Sequence, residues 1–128
     1  DGIELLTARS MIVMAARSAG IDALDTVFSD VNDTEGFIKE AKLIKQLGFD
    51  GKSVINPSQI KPLHAVFTPT KDEIEKSLAI VEAMEEARKR GSGVVSMNGK
   101  MIDKPVLDRA LHLLELAGAT NALRSAMQ

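Results

Sequence analysis

The 128-residue sequence contains no cysteine, no tryptophan and no tyrosine. The absence of cysteine excludes disulfides, thiolate metal ligands and a cysteine nucleophile, and fits a reducing compartment such as the cytoplasm. Without tryptophan and tyrosine, an aromatic surface that stacks single-stranded nucleic acid is disfavoured. The net charge of −2 gives no electrostatic case for nucleic acid or an anionic membrane. No apolar run reaches the roughly eighteen residues of a membrane span. We therefore expect neither nucleic acid nor membrane as a partner.

The familiar metal and phosphate motifs are also missing. The two histidines, His64 and His112, lie far apart and form no HExxH pair, so structural roles are favoured for both. The segment GFDGKS ends like a phosphate-binding loop but lacks the first glycine at the required spacing. We predict no metal ligand in this chain.

Apolar patterning in the first half predicts helices that alternate with short strands. The predicted helices are Ile3–Ser18, Asp33–Leu47 and Ser58–Val66, and the predicted strands are Ala23–Ser29 and Ser53–Asn56. This alternation indicates a parallel α/β sheet with right-handed crossovers. Because two strands alone do not form a stable parallel sheet, we expect a piece of a larger α/β barrel or sheet.

The second half predicts a helical extension. Thr70 and Glu73 have the spacing of a capping box and open a long amphipathic helix. Asn98-Gly99 predicts a hairpin turn. A last helix is predicted from Lys104 to Ala117, with Gly118 just past its end. The chain as a whole should be helix-rich.

Two places can carry chemistry. In parallel α/β folds, ligands sit at the C-terminal ends of the strands, which points to Ser29-Asp30 and Asn56-Pro57. Asp103 lies between the apolar Ile102 and the last helix, where it can cap that helix or, if partly buried, act as an acid or base. The residues themselves leave both readings of Asp103 open.

Three segments carry a resemblance to a known family: LGFDGKSVINPSQI, FTPTKDEIEKSLAIVEA and GVVSMNGKMIDKPVLDRA. They resemble the C-terminal part of the citrate lyase beta subunit family, within the acyl-CoA lyases and aldolases that have a TIM-barrel fold. The likeness begins at ELLTARSMIVMAARSAGIDALDTVFSDVND. Many relatives have Ile-His-Pro at Ile55-Asn56-Pro57, and asparagine there is typical of citrate lyase. The implied fold is α/β: about the last two strands of a (β/α)8 barrel over residues 1–69, then a helical extension or lid over residues 70–128.

The resemblance implies a carbon–carbon lyase of citrate fermentation. It would cleave a citryl thioester into an acetyl thioester and oxaloacetate by a retro-aldol step. The complete enzyme would use Mg²⁺, with ligands on earlier strands that this chain lacks, so the piece alone is expected to be inactive. Expected partners are the citrate lyase alpha subunit and the acyl-carrier-protein gamma subunit, which carries the thioester prosthetic group. A cytoplasmic homo-oligomer is implied.

The resemblance also implies site residues. Asp103 of the GKMID motif would donate or accept a proton at the substrate of a neighbouring subunit. Ser53, Val54 and Asn56 would lie near the thioester carrier arm and bind the substrate. Two alternatives stay open: a malyl- or citramalyl-CoA lyase, and a helical interaction module without enzymatic activity.

Overall fold

The computed structural model describes residues 2–126, with the side chains of residues 2–118. The chain divides into two compact units, Asp1–Phe67 and Thr68–Gln128. No helix in the described residues is both long enough and apolar enough to cross a membrane.

The first unit alternates helices and strands. Its elements are a 3₁₀ turn Ile3–Leu5, α1 Leu6–Ala19, β1 Leu24–Asp25, α2 Thr34–Leu47, β2 Gly51–Lys52, a 3₁₀ turn Pro57–Gln59 and α3 Ile60–Phe67. The two strands pair in parallel, with Leu24 opposite Gly51 and Asp25 opposite Lys52. Because α2 connects them, the arrangement is a βαβ unit. The predicted alternation of helices with parallel strands is therefore confirmed.

The two strands are much shorter than predicted, and the second begins earlier. Residues 53–56 follow β2 and do not form it. The amide of Ser53 still donates to the Asp25 carbonyl at 3.0 Å. After Asp25, the backbone carbonyls bond to side chains instead of to the neighbouring strand. The Thr26 carbonyl accepts from Lys52, and the Phe28 carbonyl accepts from Gln59. The backbone then leaves the extended ladder.

Helix α2 shows why this unit folds locally as it does. A carboxylate oxygen of Asp33 accepts from the Gly36 amide at 2.8 Å and caps the first turn. The helix ends at Gly48, whose φ of 104° lies in a region that favours glycine. Its inner stripe is buried at Phe37, Ala41 and Ile44. The core cluster contains Val13, Ala16, Ala23, Ile44 and Phe49.

The second unit is a helix pair with a hairpin between its members. Its elements are α4 Lys71–Lys89, β3 Val95–Met97, β4 Lys100–Ile102 and α5 Lys104–Ala126. Thr70 and Glu73 form the predicted capping box. The hairpin is antiparallel, and its turn at Asn98 and Gly99 has positive φ at both residues, as a two-residue Asn-Gly turn requires.

The predicted end of the last helix at Ala117 is wrong, because α5 continues through Gly118 to Ala126. One glycine inside a helix costs only about 1 kcal/mol relative to alanine. The residues that follow include alanine, leucine and arginine, which are strong helix formers. Their preference outweighs the single stop signal.

Candidate functional site

The C-terminal ends of β1 and β2 lie at the same edge of the sheet, because the strands are parallel. The loop after β2 contains three of the residues predicted to bind substrate: Ser53, Val54 and Asn56. The structure thus places all three where parallel α/β folds bind ligands. Their role in binding stays a prediction.

Ser53 and Asn56 differ in whether their polar side-chain atoms already have hydrogen-bond partners. Ser53 is exposed, and within the described side chains its hydroxyl has no hydrogen-bond partner. Asn56 is half-buried, and its Oδ1 accepts from the Ser58 amide at 2.9 Å, which caps the turn Pro57–Gln59. The Ser53 hydroxyl and the Asn56 side-chain NH₂ are therefore the groups best able to meet a ligand. Val54 is half-buried and offers an apolar surface.

Ser53 also lines an open cavity of about 320 Å³ between α1 and the sheet. Polar side chains of Arg9, Asp25 and Thr26 line the same cavity. The remaining walls are mostly apolar and come from Leu5, Ala8, Ile12, Leu24 and Phe49. The cavity therefore offers a mostly apolar, open surface beside the Ser53 hydroxyl.

Four charged side chains form a cluster, here called the charge cluster, that joins two helices to both strands. Its members are Arg9 of α1, Asp25 of β1, Glu40 of α2 and Lys52 of β2. The Arg9 guanidinium donates to both carboxylate oxygens of Asp25, with Nε–Oδ1 at 3.0 Å and Nη2–Oδ2 at 2.9 Å. Lys52 Nζ donates to Asp25 Oδ2 at 2.8 Å and to Glu40 Oε1. The Lys52 side chain is fully buried.

The charge cluster determines the ionisation of Asp25. Burial alone would raise the pKa of this carboxyl, but hydrogen bonds from Lys52 and Arg9 outweigh it and lower the pKa below its ordinary value. Burial opposes the charged form of Arg9 too, and the hydrogen bonds to Asp25 and Glu40 still raise the pKa of Arg9. Asp25 is therefore ionised at neutral pH, and its two oxygens are held by cations. This geometry suits a structural role better than proton transfer.

Gln59 is a site-edge residue that the sequence analysis missed. Only 4% of the surface of Gln59 is exposed to solvent. Its Nε2 donates to the Phe28 carbonyl at 3.0 Å, and its Oε1 accepts from the Ile55 amide at 3.1 Å. The side chain therefore joins the loop after β1 to the loop after β2. The sequence offers only a weak signal, a glutamine placed in the first turn after Asn56-Pro57.

Asp103 lies in the second unit, at the junction of β4 and α5. Its Oδ1 accepts from the Val106 amide at 3.2 Å, so the capping role is confirmed. The residue is half-buried beside the buried Ile102. Within residues 2–118, its second carboxylate oxygen accepts no hydrogen bond. That oxygen is geometrically available for chemistry, and the catalytic role of Asp103 stays a prediction.

The described residues do not form a metal site, since no group of three or more histidine and carboxylate side chains among them could hold an ion. His64 lies in α3 and His112 in α5, in different units. The described residues therefore do not supply a set of Mg²⁺ ligands, which the family resemblance assigns to other strands.

Comparison with known proteins shows which family the chain is similar to. The model of the HpcH/HpaI aldolase/citrate lyase family matches residues 1–57. Citrate lyase subunit beta of Haemophilus influenzae is 61% identical over 117 residues, which is 91% of this chain and 40% of that protein. Residues 1–57 therefore match the HpcH/HpaI aldolase/citrate lyase family, and most of the chain is similar to citrate lyase subunit beta. Citrate lyase subunit beta of Leuconostoc mesenteroides is 54% identical over 98% of this chain and 41% of that protein. The chain spans about 40% of the length of these relatives.

Solved structures agree with this assignment. The family protein CitE of Mycobacterium tuberculosis, in complex with magnesium, acetoacetate and coenzyme A, matches with a TM-score of 0.71 and 34% identity over 86% of this chain and 40% of that one. A citrate lyase from Burkholderia xenovorans matches with a TM-score of 0.73 over 94% of this chain and 37% of that one, and at 22% identity it shows the fold alone. The predicted α/β class, as part of a (β/α)8 barrel, and the family resemblance are both confirmed.

Proposed function

We propose that this chain is part of a carbon–carbon lyase that cleaves a citryl thioester into an acetyl thioester and oxaloacetate. The observation that carries the proposal is the 61% identity to citrate lyase subunit beta of Haemophilus influenzae. The citramalyl-CoA lyase of Mus musculus is 34% identical over the same length of 117 residues. The difference favours a citryl substrate over the citramalyl thioester that the alternative would use.

Asp103 is the residue to which we assign the proton transfer. In the cleavage, the proton of the substrate hydroxyl leaves oxygen, the carbon–carbon bond breaks, and the methyl carbon of the acetyl thioester gains a proton. A carboxylate can accept the first proton or return it to carbon. Asp103 suits this task because Oδ1 caps α5 while Oδ2 has no partner among the described residues. The cap holds the carboxylate in one orientation, and a neighbouring subunit supplies the rest of the pocket.

The loop after β2 is assigned to binding of the thioester arm. The Ser53 hydroxyl and the Asn56 side-chain NH₂ donate to polar atoms of the arm, and Val54 contacts its apolar part. This assignment is supported by their position at the strand ends and by the cavity beside Ser53. We assign the arm to the prosthetic group of the acyl-carrier-protein gamma subunit. The alpha subunit is a further proposed partner, and this subunit also associates with copies of itself in the cytoplasm. The name of the relatives, citrate lyase subunit beta, supports a complex of several subunits.

Magnesium is expected in the complete enzyme, because the CitE structure contains it. Its ligands would come from outside the described residues, which offer no suitable group. The roles assigned to Asp103 and to the loop after β2 do not depend on those ligands.

The test is Asp103→Asn in the complete subunit, assayed with its partner subunits and Mg²⁺ on citryl thioester. Loss of a general acid or base lowers turnover by about 10²–10⁴-fold. Thermal unfolding should change little, since asparagine caps helices about as well as aspartate. The matched control is Asp108→Asn on the same helix, where the carboxylate is exposed and pairs with Lys104. Normal turnover of Asp103→Asn would leave Asp103 with its capping role only.

The same assay separates the alternatives. Preferred cleavage of citramalyl or malyl thioesters by the wild-type subunit would replace the citryl substrate by one of these. Cleavage of none of the three thioesters would favour the helical interaction module.

A further inference from the structure

We infer that Gln59 is a positioning residue that holds the two loops of the candidate substrate site in register. The inference goes beyond the proposed function and rests on it for the kinetic part of its test. The last backbone rung between the strands is the bond from the Ser53 amide to the Asp25 carbonyl. Past this rung, the Gln59 side chain bridges the two loops.

The bridge needs an amide. The Phe28 carbonyl requires a donor, and the Ile55 amide requires an acceptor. Among side chains of this length, glutamine supplies both at neutral pH, whereas an ionised glutamate only accepts and methionine has no donor and only a weakly accepting sulfur. Asparagine is one methylene shorter. The identity of Gln59 is therefore matched to the two backbone groups that it joins.

Both ends of the bridge are anchored. On one side, Asn56 Oδ1 accepts from the Ser58 amide and the Gln59 amide donates to the Asn56 carbonyl at 3.0 Å, so the turn that carries Gln59 is fixed to the loop after β2. On the other side, the Phe28 ring packs edge-on against Phe37 of α2, with centroids 6.0 Å apart. Gln59 thus joins a capped turn to a loop that is packed on a helix.

The bridge sits close to the groups assigned to the thioester arm. Ile55 lies between Val54 and Asn56, so a shift of the Ile55 amide moves both neighbours. Both bridged backbone groups are partly buried, so leaving them without hydrogen bonds costs free energy, which favours one position of the loop. Gln59 itself does not contact the substrate and affects binding by holding residues 53–56 in position. Its loss should weaken binding more than it slows the bond-breaking step.

The kinetic test compares Gln59→Met with wild type in the complete subunit. We expect the KM for citryl thioester to rise about tenfold, the effect of losing roughly one net hydrogen bond, while kcat changes less than about threefold. Gln46→Met, an exposed glutamine on α2, is the matched control and should keep both constants. An unchanged KM in Gln59→Met, even with a lower melting temperature, would overturn the positioning role.

Gln59→Glu adds a signature that simple destabilisation does not produce. At neutral pH its carboxylate faces the Phe28 carbonyl without a proton to donate, so KM should rise as in Gln59→Met. As the pH falls and the carboxyl becomes protonated, it can donate to Phe28 and accept from Ile55 again. The ratio of the variant KM to the wild-type KM should therefore fall towards one at acidic pH. A ratio that does not change with pH contradicts the bridge.

Hydrogen exchange tests the bridge without any enzymatic assay. If the wild-type subunit cleaves no thioester, the proposed function is refuted, but the bridge can still be tested in this way. In Gln59→Met, the Ile55 amide should exchange at least about tenfold faster because its acceptor is gone. The Phe49 amide, bonded to the Ile44 carbonyl, should keep its rate. Equal protection of Ile55 in both proteins would refute the bridge itself.

Discussion

The two units of this chain use polar side chains in different ways. In the first unit, hydrogen bonds join residues that are far apart in the sequence: Arg9 to Asp25 over 16 positions, Lys52 to Asp25 over 27 and Gln59 to Phe28 over 31. In the second unit, the side-chain bonds named above are local. They join Thr70 to Glu73 and Asp103 to Val106, three positions apart, and Lys104 to Asp108, four positions apart.

This difference determines what fixes each structure. Charges that are removed from water must be paired, and pairing is directional, so the charge cluster sets how α1 and α2 sit on the strands. In the second unit, the buried side chains are mainly small or flexible and apolar: Met84, Ala87, Ile102, Ala110 and Ala117. Apolar contact is less directional. The first unit should therefore be sensitive to the loss of a single charge, and the second to local caps and to the volume of apolar side chains.

The largest effect is expected for Lys52→Met. The substitution keeps most of the side-chain volume but removes one of the two cations, Lys52 and Arg9, that pair with both Asp25 and Glu40. Breaking a buried ion pair from one side typically costs about 3–5 kcal/mol. We expect this loss in the free energy of unfolding from urea titrations followed by circular dichroism. Lys39→Met on the exposed face of α2 is the control and should cost less than about 0.5 kcal/mol. A loss below about 1 kcal/mol for Lys52→Met would mean that the cluster does not dominate the first unit.

Acid should weaken the first unit through Asp25. The pKa of this carboxyl is lowered in the folded chain, so the folded state binds its proton less readily than the unfolded state. Its stabilising contribution is present above the unfolded pKa of about 4 and is lost as the pH falls from there through the lower folded value. Urea midpoints measured from pH 6 to pH 2 should fall in this window. Asp25→Asn should show a smaller fall over the same range, and an identical fall in both proteins would exclude Asp25 as the cause.

Much of the fold was predictable because its signals are local. The capping box at Thr70 and the Asn98-Gly99 turn depend on residues within four positions of each other, and both are present. The strands were predicted too long because their ends depend on distant side chains. Lys52 and Gln59 bind backbone carbonyls after β1, which no pattern within β1 could reveal.

The candidate site, like the fold, was predictable where its signals are local in the sequence. The general rule for parallel strands pointed to Ser29-Asp30 and Asn56-Pro57 at the sheet edge, whereas Ser53 was singled out only by the family resemblance. Gln59 and the charge cluster were not predicted, because a buried polar side chain is defined by a partner elsewhere in the chain. One signal was available: the charged residues Asp25 and Lys52 occur within or beside segments read as buried strands. Charges in such positions require partners of opposite sign.

The smallest effect, Thr70→Ala, tests whether the second unit is held as locally as the comparison suggests. The change removes the acceptor for the Glu73 amide and should cost about 1 kcal/mol. Exchange of the Glu73 amide should accelerate because its capping acceptor is gone, whereas the Phe49 amide in the first unit should keep its rate. Thr70→Ser keeps the hydroxyl and should stay near wild type. If exchange also accelerates at Phe49, the cap contributes to more than its own helix, and the contrast between a long-range first unit and a local second unit would have to be given up.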